Sequence, residues 1–319
     1  MPIQYIPPIE RNLKTDRPNV VLFGNGFFHE CLDWEDMLKK CVKDGITEKE
    51  VAKLLDTDYL LFADAAIETS DSVREEKYIN AIAEAEAPSE KTHELMRMLT
   101  ELPVDVFITT NYTYQIEQCL DSRFTADAKK GYVYQIGKKA DRKDTKFLMH
   151  TFNRVSRNGK YVDVWHPHGE LRRKKSLVLS HDEYGRFVTE VVNYNKERKR
   201  MADSSGTVRF SSWFDYLLYG NVYIIGFGAS YTEFDFWWML NRRMREENRE
   251  LLGKYYFYEP LNEKNEAKHL ILSKMDVEYR HLDCIFTEKS GDYNTFYAKA
   301  TKDIESIIDK NKDKESSYE

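Results

Sequence analysis

An asparagine, a histidine and two glycine turns, each beside an apolar run, are the residues of this chain best suited to chemistry on a nucleotide. The turns are Gly24-Asn25-Gly26-Phe27, after Asn19-Val20-Val21-Leu22-Phe23, and Gly226-Phe227-Gly228-Ala229-Ser230, after Ile224-Ile225. The asparagine is Asn111 in Ile108-Thr109-Thr110-Asn111-Tyr112, and the histidine is His168 in Trp165-His166-Pro167-His168-Gly169. Glycine lets a backbone approach a ligand closely, and turns opening a helix present N–H groups to phosphate. An asparagine amide can hold a ribose hydroxyl or a water, while an imidazole titrating near neutral pH suits a general base. Loops leaving the carboxyl ends of strands in an open α/β sheet converge on one crevice. Four such patches in one sheet would therefore make one site.

Each patch also has a plainer use. Glycines after a strand often only turn the chain, and Thr110 with Asn111 could simply cap a helix. Gly24-Asn25-Gly26 lacks the third glycine of the dehydrogenase fingerprint, having His29 there, and no acidic residue closes a second strand about 20 residues on. A hydride-transferring enzyme is not indicated. His166 and His168, two apart in an extended segment, share a face and could pair on a metal. No Cys or carboxylate cluster lies nearby at zinc-site spacing, so no metal is expected. Trp237-Trp238 reads as the packed side of an amphipathic helix.

The elements that must position these residues follow from periodicity. Strands are expected at Asn19 to Phe23, Val104 to Thr109, Tyr132 to Ile136, Thr145 to Met149, Tyr161 to Trp165 and Ser176 to Leu179. Further strands are expected at Asn221 to Ile225, Lys254 to Tyr258 and Val277 to His281. Helices are expected at Thr47 to Leu55, Asp58 to Glu68, Ser72 to Ala85 and Ser89 to Glu101, with Thr47-x-x-Glu50 at capping-box spacing. Asp182 to Met201, Val208 to Tyr219, Glu233 to Arg249, Asn265 to Lys274 and Asn294 to Asp309 complete the set. Strands alternating with helices imply a Rossmann-like, doubly wound parallel sheet in one α/β domain over residues 1–319. A helical insertion spans about 30–103, a smaller β-rich insertion about 125–206, and a charged tail, 310–319, is expected to fray.

Bulk composition narrows the class. A net charge of −6 supplies no global positive field, so direct nucleic-acid binding is not expected. The four cysteines form no C-x-x-C pair, which argues for free thiols in a reducing cytoplasm. The N-terminus lacks a charged region followed by an apolar core, and no stretch approaches the roughly 20 apolar residues of a membrane span.

The four patches, in this order, resemble the sirtuin-like superfamily, and most closely its branch of bacterial NAD-cleaving effectors in antiviral defence. That family has a Gly-x-Gly loop after the first strand, a Thr-x-Asn motif, a His-Gly pair, and a Gly-x-Ser loop near an Asp. Here these are Gly24 to Gly26, Thr109 to Asn111, His168-Gly169, and Gly226 to Ser230 with Asp235. Leu177 to Tyr184 is similar to the strand and helix start that follow His-Gly. The resemblance implies that NAD is the substrate, with Asn111 and His168 catalytic. Gly24, Asn25, Gly26, Phe27, Thr110, Gly226, Phe227, Gly228, Ser230 and Asp235 would line the cofactor. Asp235 would hold a ribose hydroxyl or support its loop, or else serve as a helix-start charge.

Departures from the deacylating members point away from protein deacylation. Their two zinc-binding cysteine pairs are absent, Thr113 stands where an Asp follows their Asn, and His29 to Trp34 replaces their Pro-Asp-Phe-Arg segment. The expected reaction is hydrolysis of NAD to nicotinamide and ADP-ribose. With nearly all residues used by the catalytic domain, activation is expected to come from self-association or a separate sensor protein.

Overall fold

The computed structural model describes residues 3–28, 34–56, 58–67, 77, 80–84, 86–87, 89–124, 132–137, 146–199, 206–260, 265–284, 286–287 and 290–316. The segment His29 to Asp33, Thr145 and most of the helix expected over Ser72 to Ala85 lie outside these residues, although 77 and 80–84 are helical.

Eleven strands carry the architecture: β1 Gln4–Ile6, β2 Ile9–Asn12, β3 Asn19–Phe23, β4 Val106–Thr109, β5 Val133–Ile136, β6 Thr151–Arg157, β7 Lys160–Trp165, β8 Thr207–Phe210, β9 Asn221–Ile225, β10 Tyr255–Tyr258 and β11 Val277–Tyr279. Nine of them form one sheet in the order β1-β5-β6-β7-β4-β3-β9-β10-β11. All neighbours pair in parallel except β5–β6 and β6–β7, so β6 alone opposes the rest. β2 and β8 form a separate antiparallel ribbon.

Both faces of the sheet are covered, which is why its central strands are continuous apolar runs rather than alternating ones. Val20, Leu22, Ile108, Trp165 and Ile224 point into one core; Val21, Phe23, Phe107, Val164 and Ile225 point into the other. Each such fully buried aliphatic side chain contributes about 1.5–3 kcal/mol. A third cluster joins the helices Trp34–Lys40 and Tyr59–Ala66 to Tyr112, Leu177 and Leu179, so the early helices pack over the carboxyl end of the sheet. The helix Glu90–Glu101 behaves differently: Leu95, Met96 and Leu99 pack on the sheet itself, making it the crossover between β3 and β4.

Several expected elements change. Thr145 to Met149 is not a strand where it is described; the pairing segment is β6, just beyond it, whose buried Phe152 and Val155 face opposite cores. Ser176 ends the 3-10 helix Leu171–Ser176, and Leu177 to Leu179 joins no sheet. Val208 to Tyr219 divides into β8 and the helix Trp213–Tyr219, because Ser212 caps the helix reciprocally with Asp215. β5, β6 and β7, expected inside the smaller insertion, are hydrogen-bonded into the principal sheet. Two short strands, β1 and β2, precede the first one expected. The last helix runs Tyr293–Ser316, past the expected start of fraying; Tyr223 and Tyr256 hydrogen-bond to Asn311 and fix that turn. Thr47 caps its helix in the full capping box that its spacing with Glu50 predicts, and Ser89 caps the helix Glu90–Glu101. Among the described residues, no helix is long and apolar enough to cross a membrane.

Candidate active site

β7, β4, β3 and β9 are consecutive in the sheet, parallel and nearly level, with Phe23 opposite both Thr109 and Ile225 and Ile108 opposite Trp165. Their four carboxyl-end loops are the four sequence patches, which the fold therefore sets side by side. The two glycine turns interlock. Gly26 N–H donates to Gly226 O at 2.8 Å, and a Cβ on Gly26 would sit 2.7 Å from that oxygen. Gly226 itself has φ of +62°, which favours glycine. Thr110 N–H donates to Phe23 O at 3.3 Å, tying the asparagine loop to β3, and Asn111 N–H donates to Thr109 Oγ1 at 3.0 Å.

Between these loops lies a cavity of about 240 Å³. Asn25, Gly26, Thr110, Asn111, His168, Gly226, Phe227, Gly228 and Ser230 all line it. Three expected site residues do not. Gly24 sits behind the turn, where a Cβ would press on Phe227 and Thr110. Phe27 is fully buried in the core, its ring stacked 4.5 Å from that of Tyr297, so it anchors the turn instead of facing a ligand. Asp235 stands one layer back, its Oδ2 3.0 Å from His168 Nε2.

That contact defines the imidazole. A carboxylate can only accept, so His168 Nε2 carries the proton and donates it, leaving Nδ1 as the basic nitrogen. The Tyr184 hydroxyl lies 3.3 Å from Nδ1 and 3.4 Å from Glu233 Oε2, so its single proton serves one of these acceptors at a time. Burial disfavours charging the ring, but the Asp235 carboxylate and then Glu233 outweigh it and raise the pKa above the ordinary value. Burial pushes the Glu233 carboxyl up to about 7, with Asp235 adding to the shift and His168 opposing it. Two polar atoms at the cavity, Asn111 Nδ2 and Asn25 Oδ1, are buried without a hydrogen-bond partner among the described residues. A donor and an acceptor left open inside one cavity are what a ribose diol or carboxamide would satisfy.

Residues 105–280, more than half of the 319-residue chain, match the family model of the SIR2-like domain. The chain belongs to the SIR2-like family. Comparison with curated proteins gives no match. SIR2-like domains use NAD, and an asparagine, a histidine and a crevice of strand-end loops are consistent with an NAD-utilising enzyme.

Beneath the SIR2-like site lies a buried polar network. His166 Nδ1 meets Asn111 O at 2.8 Å, and its Nε2 meets Glu117 Oε1 at 2.9 Å. Both partners are acceptors, so both ring nitrogens must carry protons and His166 is an imidazolium. Burial opposes that charge, yet Glu117 and Glu170 raise the pKa to about 8. Asn153 Nδ2 bridges Glu117 and Glu170 at 2.8 and 3.2 Å, and Arg172 donates to Asn153 Oδ1 at 2.9 Å. His166 is thus committed to the loop of Asn111 and is not a partner of His168 on a metal. His168, Glu233 and Asp235 do bring one ligand-type atom each within 4.8 Å of one another. The ring's bond to Asp235 and Tyr184's position between ring and Glu233 make this trio a hydrogen-bonded chain.

Glu86, Tyr184 and Glu233 are among the cavity-lining residues that the sequence did not assign to the site. Glu86 accepts from Tyr112 N and Thr113 N at 2.9 and 2.7 Å, clamping the asparagine loop from the helical region. Burial raises its pKa against those donors. The pair Glu233 and Asp235, bracketing an exposed Phe234, was the one available signal for Glu233.

Proposed function

We propose that this SIR2-like chain hydrolyses NAD to nicotinamide and ADP-ribose. The observation that carries the reading is the shared cavity, in which Asn111 presents an unsatisfied amide and His168 presents Nδ1 with Nε2 held by Asp235. The bond from ribose C1′ to the nicotinamide nitrogen breaks, both electrons leaving with nicotinamide as a neutral base. The ribose passes through an oxocarbenium-like state, as in glycoside cleavage. Asn111 holds a ribose hydroxyl and the attacking water. The water's oxygen bonds to C1′ and its proton goes to His168, whose imidazolium is stabilised by Asp235. Tyr184 links His168 to Glu233, a carboxyl that exchanges protons near neutral pH and passes the proton outward. The interlocked turns at Gly26 and Gly226 bring backbone to the remaining ribose and pyrophosphate. The residues that do this are the chain's own.

The size of the cavity supports a regulated enzyme. Sites for drug-sized ligands usually measure about 300–1,000 Å³, and 240 Å³ takes the nicotinamide–ribose end of NAD more readily than the whole dinucleotide. Assembly or a partner that favours an opened crevice would raise the competent fraction. Draining a cell's NAD on such a signal is the proposed role, in line with the resemblance to bacterial antiviral effectors.

The test is nicotinamide release from NAD by the purified chain, with and without an acetylated peptide and over a range of protein concentrations. Release should be indifferent to the peptide, and specific activity should rise with concentration. Release only with peptide indicates NAD-dependent deacylation. Binding of NAD with no turnover at any concentration indicates a sensing module. Fast turnover at nanomolar protein, independent of concentration, would remove the case for assembly.

A further inference from the structure

A second concave surface lies behind the proposed active site, between the helices His181–Lys199 and Phe234–Met244, with a volume of about 590 Å³. One wall is made by Phe234, Trp237, Trp238, Asn241, Arg242 and Arg245. Their spacing of three and four residues places them on one face of the helix, over a length of roughly 16 Å at about 1.5 Å per residue. Lys196 and Asn195 stand on the opposite wall. Aromatic rings occupy one end and cations the other, and among the described residues no carboxylate lines the groove. Arg242 Nε is buried with no hydrogen-bond partner among the described residues. Cations at helix C-termini complement the helix dipoles, but that does not account for indole rings left beside them. Phe234 remains 57 % exposed and the neighbouring Tyr231 65 %, stacked at 5.8 Å on Trp237.

We infer that this groove binds a nucleotide: an aromatic base carrying phosphate. Base stacking on aromatic side chains and guanidinium contact with phosphate are the two interactions such a ligand needs. The exposed Asn241 amide offers a donor and an acceptor to a base edge. The groove's volume of about 590 Å³ falls within the roughly 300–1,000 Å³ typical of small-ligand sites. The groove is also coupled to the cavity. Trp237 Nε1 donates to Ser230 O at 2.9 Å, and Ser230 and Glu233 line the cavity on the other side of the same turn. A ligand that fixes Trp237 therefore fixes that turn, which makes the groove a regulatory site. This regulatory role rests on the proposed NAD cleavage; the binding does not.

Calorimetric titration and tryptophan fluorescence with ATP and with a ten-residue single-stranded oligothymidylate test the inference. Both measurements use the whole chain, its Arg242→Glu/Arg245→Glu and Arg242→Gln/Arg245→Gln variants, and Asn111→Ala. Wild type and Asn111→Ala should bind and show quenching, while both groove variants, with unchanged melting curves, should bind at least tenfold more weakly. A tighter oligothymidylate assigns the groove to single strands; ATP binding as tightly or more tightly assigns it to a free nucleotide. Equal affinity in wild type and groove variants, loss in Asn111→Ala alone, or binding of polyglutamate in place of both nucleotides would overturn it. Nicotinamide release measured on the same samples reports separately on the catalytic reading. A groove that binds in a chain that never cleaves NAD leaves the nucleotide site standing without its regulatory role.

Discussion

Asn111→Ala and His168→Ala should each lower nicotinamide release by about 100- to 10,000-fold, the usual effect of removing a general base or its substrate-orienting partner, while the protein stays folded. Neither side chain is a structural linchpin. The Asn111 amide nitrogen has no partner to lose, and the loop is held instead by its backbone bonds to Thr109 and His166. His168 gives up one bond to Asp235 and one to Tyr184. The pH dependence follows from the direction of the shift. The base must be unprotonated, and its pKa lies above the ordinary imidazole value of about 6.5. kcat/KM should therefore climb with pH through a point above that value. His168→Gln should abolish that limb along with the rate, whereas Tyr184→Phe should retain measurable activity with the limb displaced. Unchanged release by the Asn111→Ala/His168→Ala double variant would show the assignment to be wrong.

Glu117→Ala should destabilise the fold far more than Asn111→Ala, costing roughly 3–5 kcal/mol in chemical denaturation, the range for stripping one partner from a buried ion pair. Glu117 is fully buried and accepts from both His166 and Asn153, so its loss leaves an imidazolium and an amide facing a void. Glu117→Gln keeps the volume and one acceptor and should cost less. The same network carries a pH signature. The His166 pKa is raised to about 8 in the folded protein, so its contribution is complete below about 6.5 and fades as pH rises through about 8. Wild type should lose stability across that window, and Glu117→Gln should lose less. Equal alkaline decline in both proteins would show that the imidazolium is not what Glu117 holds.

The central sheet could be read from sequence because its strands are buried on both faces and so appear as unbroken apolar runs, Val20 to Phe23 and Val222 to Ile225 among them. β6 could not be read that way. Thr151-Phe-Asn-Arg-Val-Ser-Arg carries polar residues that are satisfied only across the fold, Asn153 by Glu117 and Arg172, and Arg154 by Asp163. Edge strands β1 and β2 are too short to show a period. In the site, the loops after strands were visible because glycine, asparagine and histidine are unusual there. Glu86 was not, since its surroundings of alternating alanine and glutamate read as a solvated helix. Its role exists only because the helical region folds over the asparagine loop. Tyr184 and Asp235 likewise acquire their roles through contact with His168, from helices 16 and 67 positions further along the chain. Phe27 shows the converse: adjacency to a glycine turn suggested ligand contact, but the ring's apolar surface is better satisfied against Tyr297.

The most direct measurement is a mass balance on NAD incubated with micromolar wild-type chain and no acylated substrate, with nicotinamide and ADP-ribose quantified together over time. The account predicts equal amounts of the two products, accumulating in proportion to NAD lost and absent with Asn111→Ala. NAD recovered intact at every protein concentration, or nicotinamide released to the same extent by the Asn111→Ala chain, would contradict it.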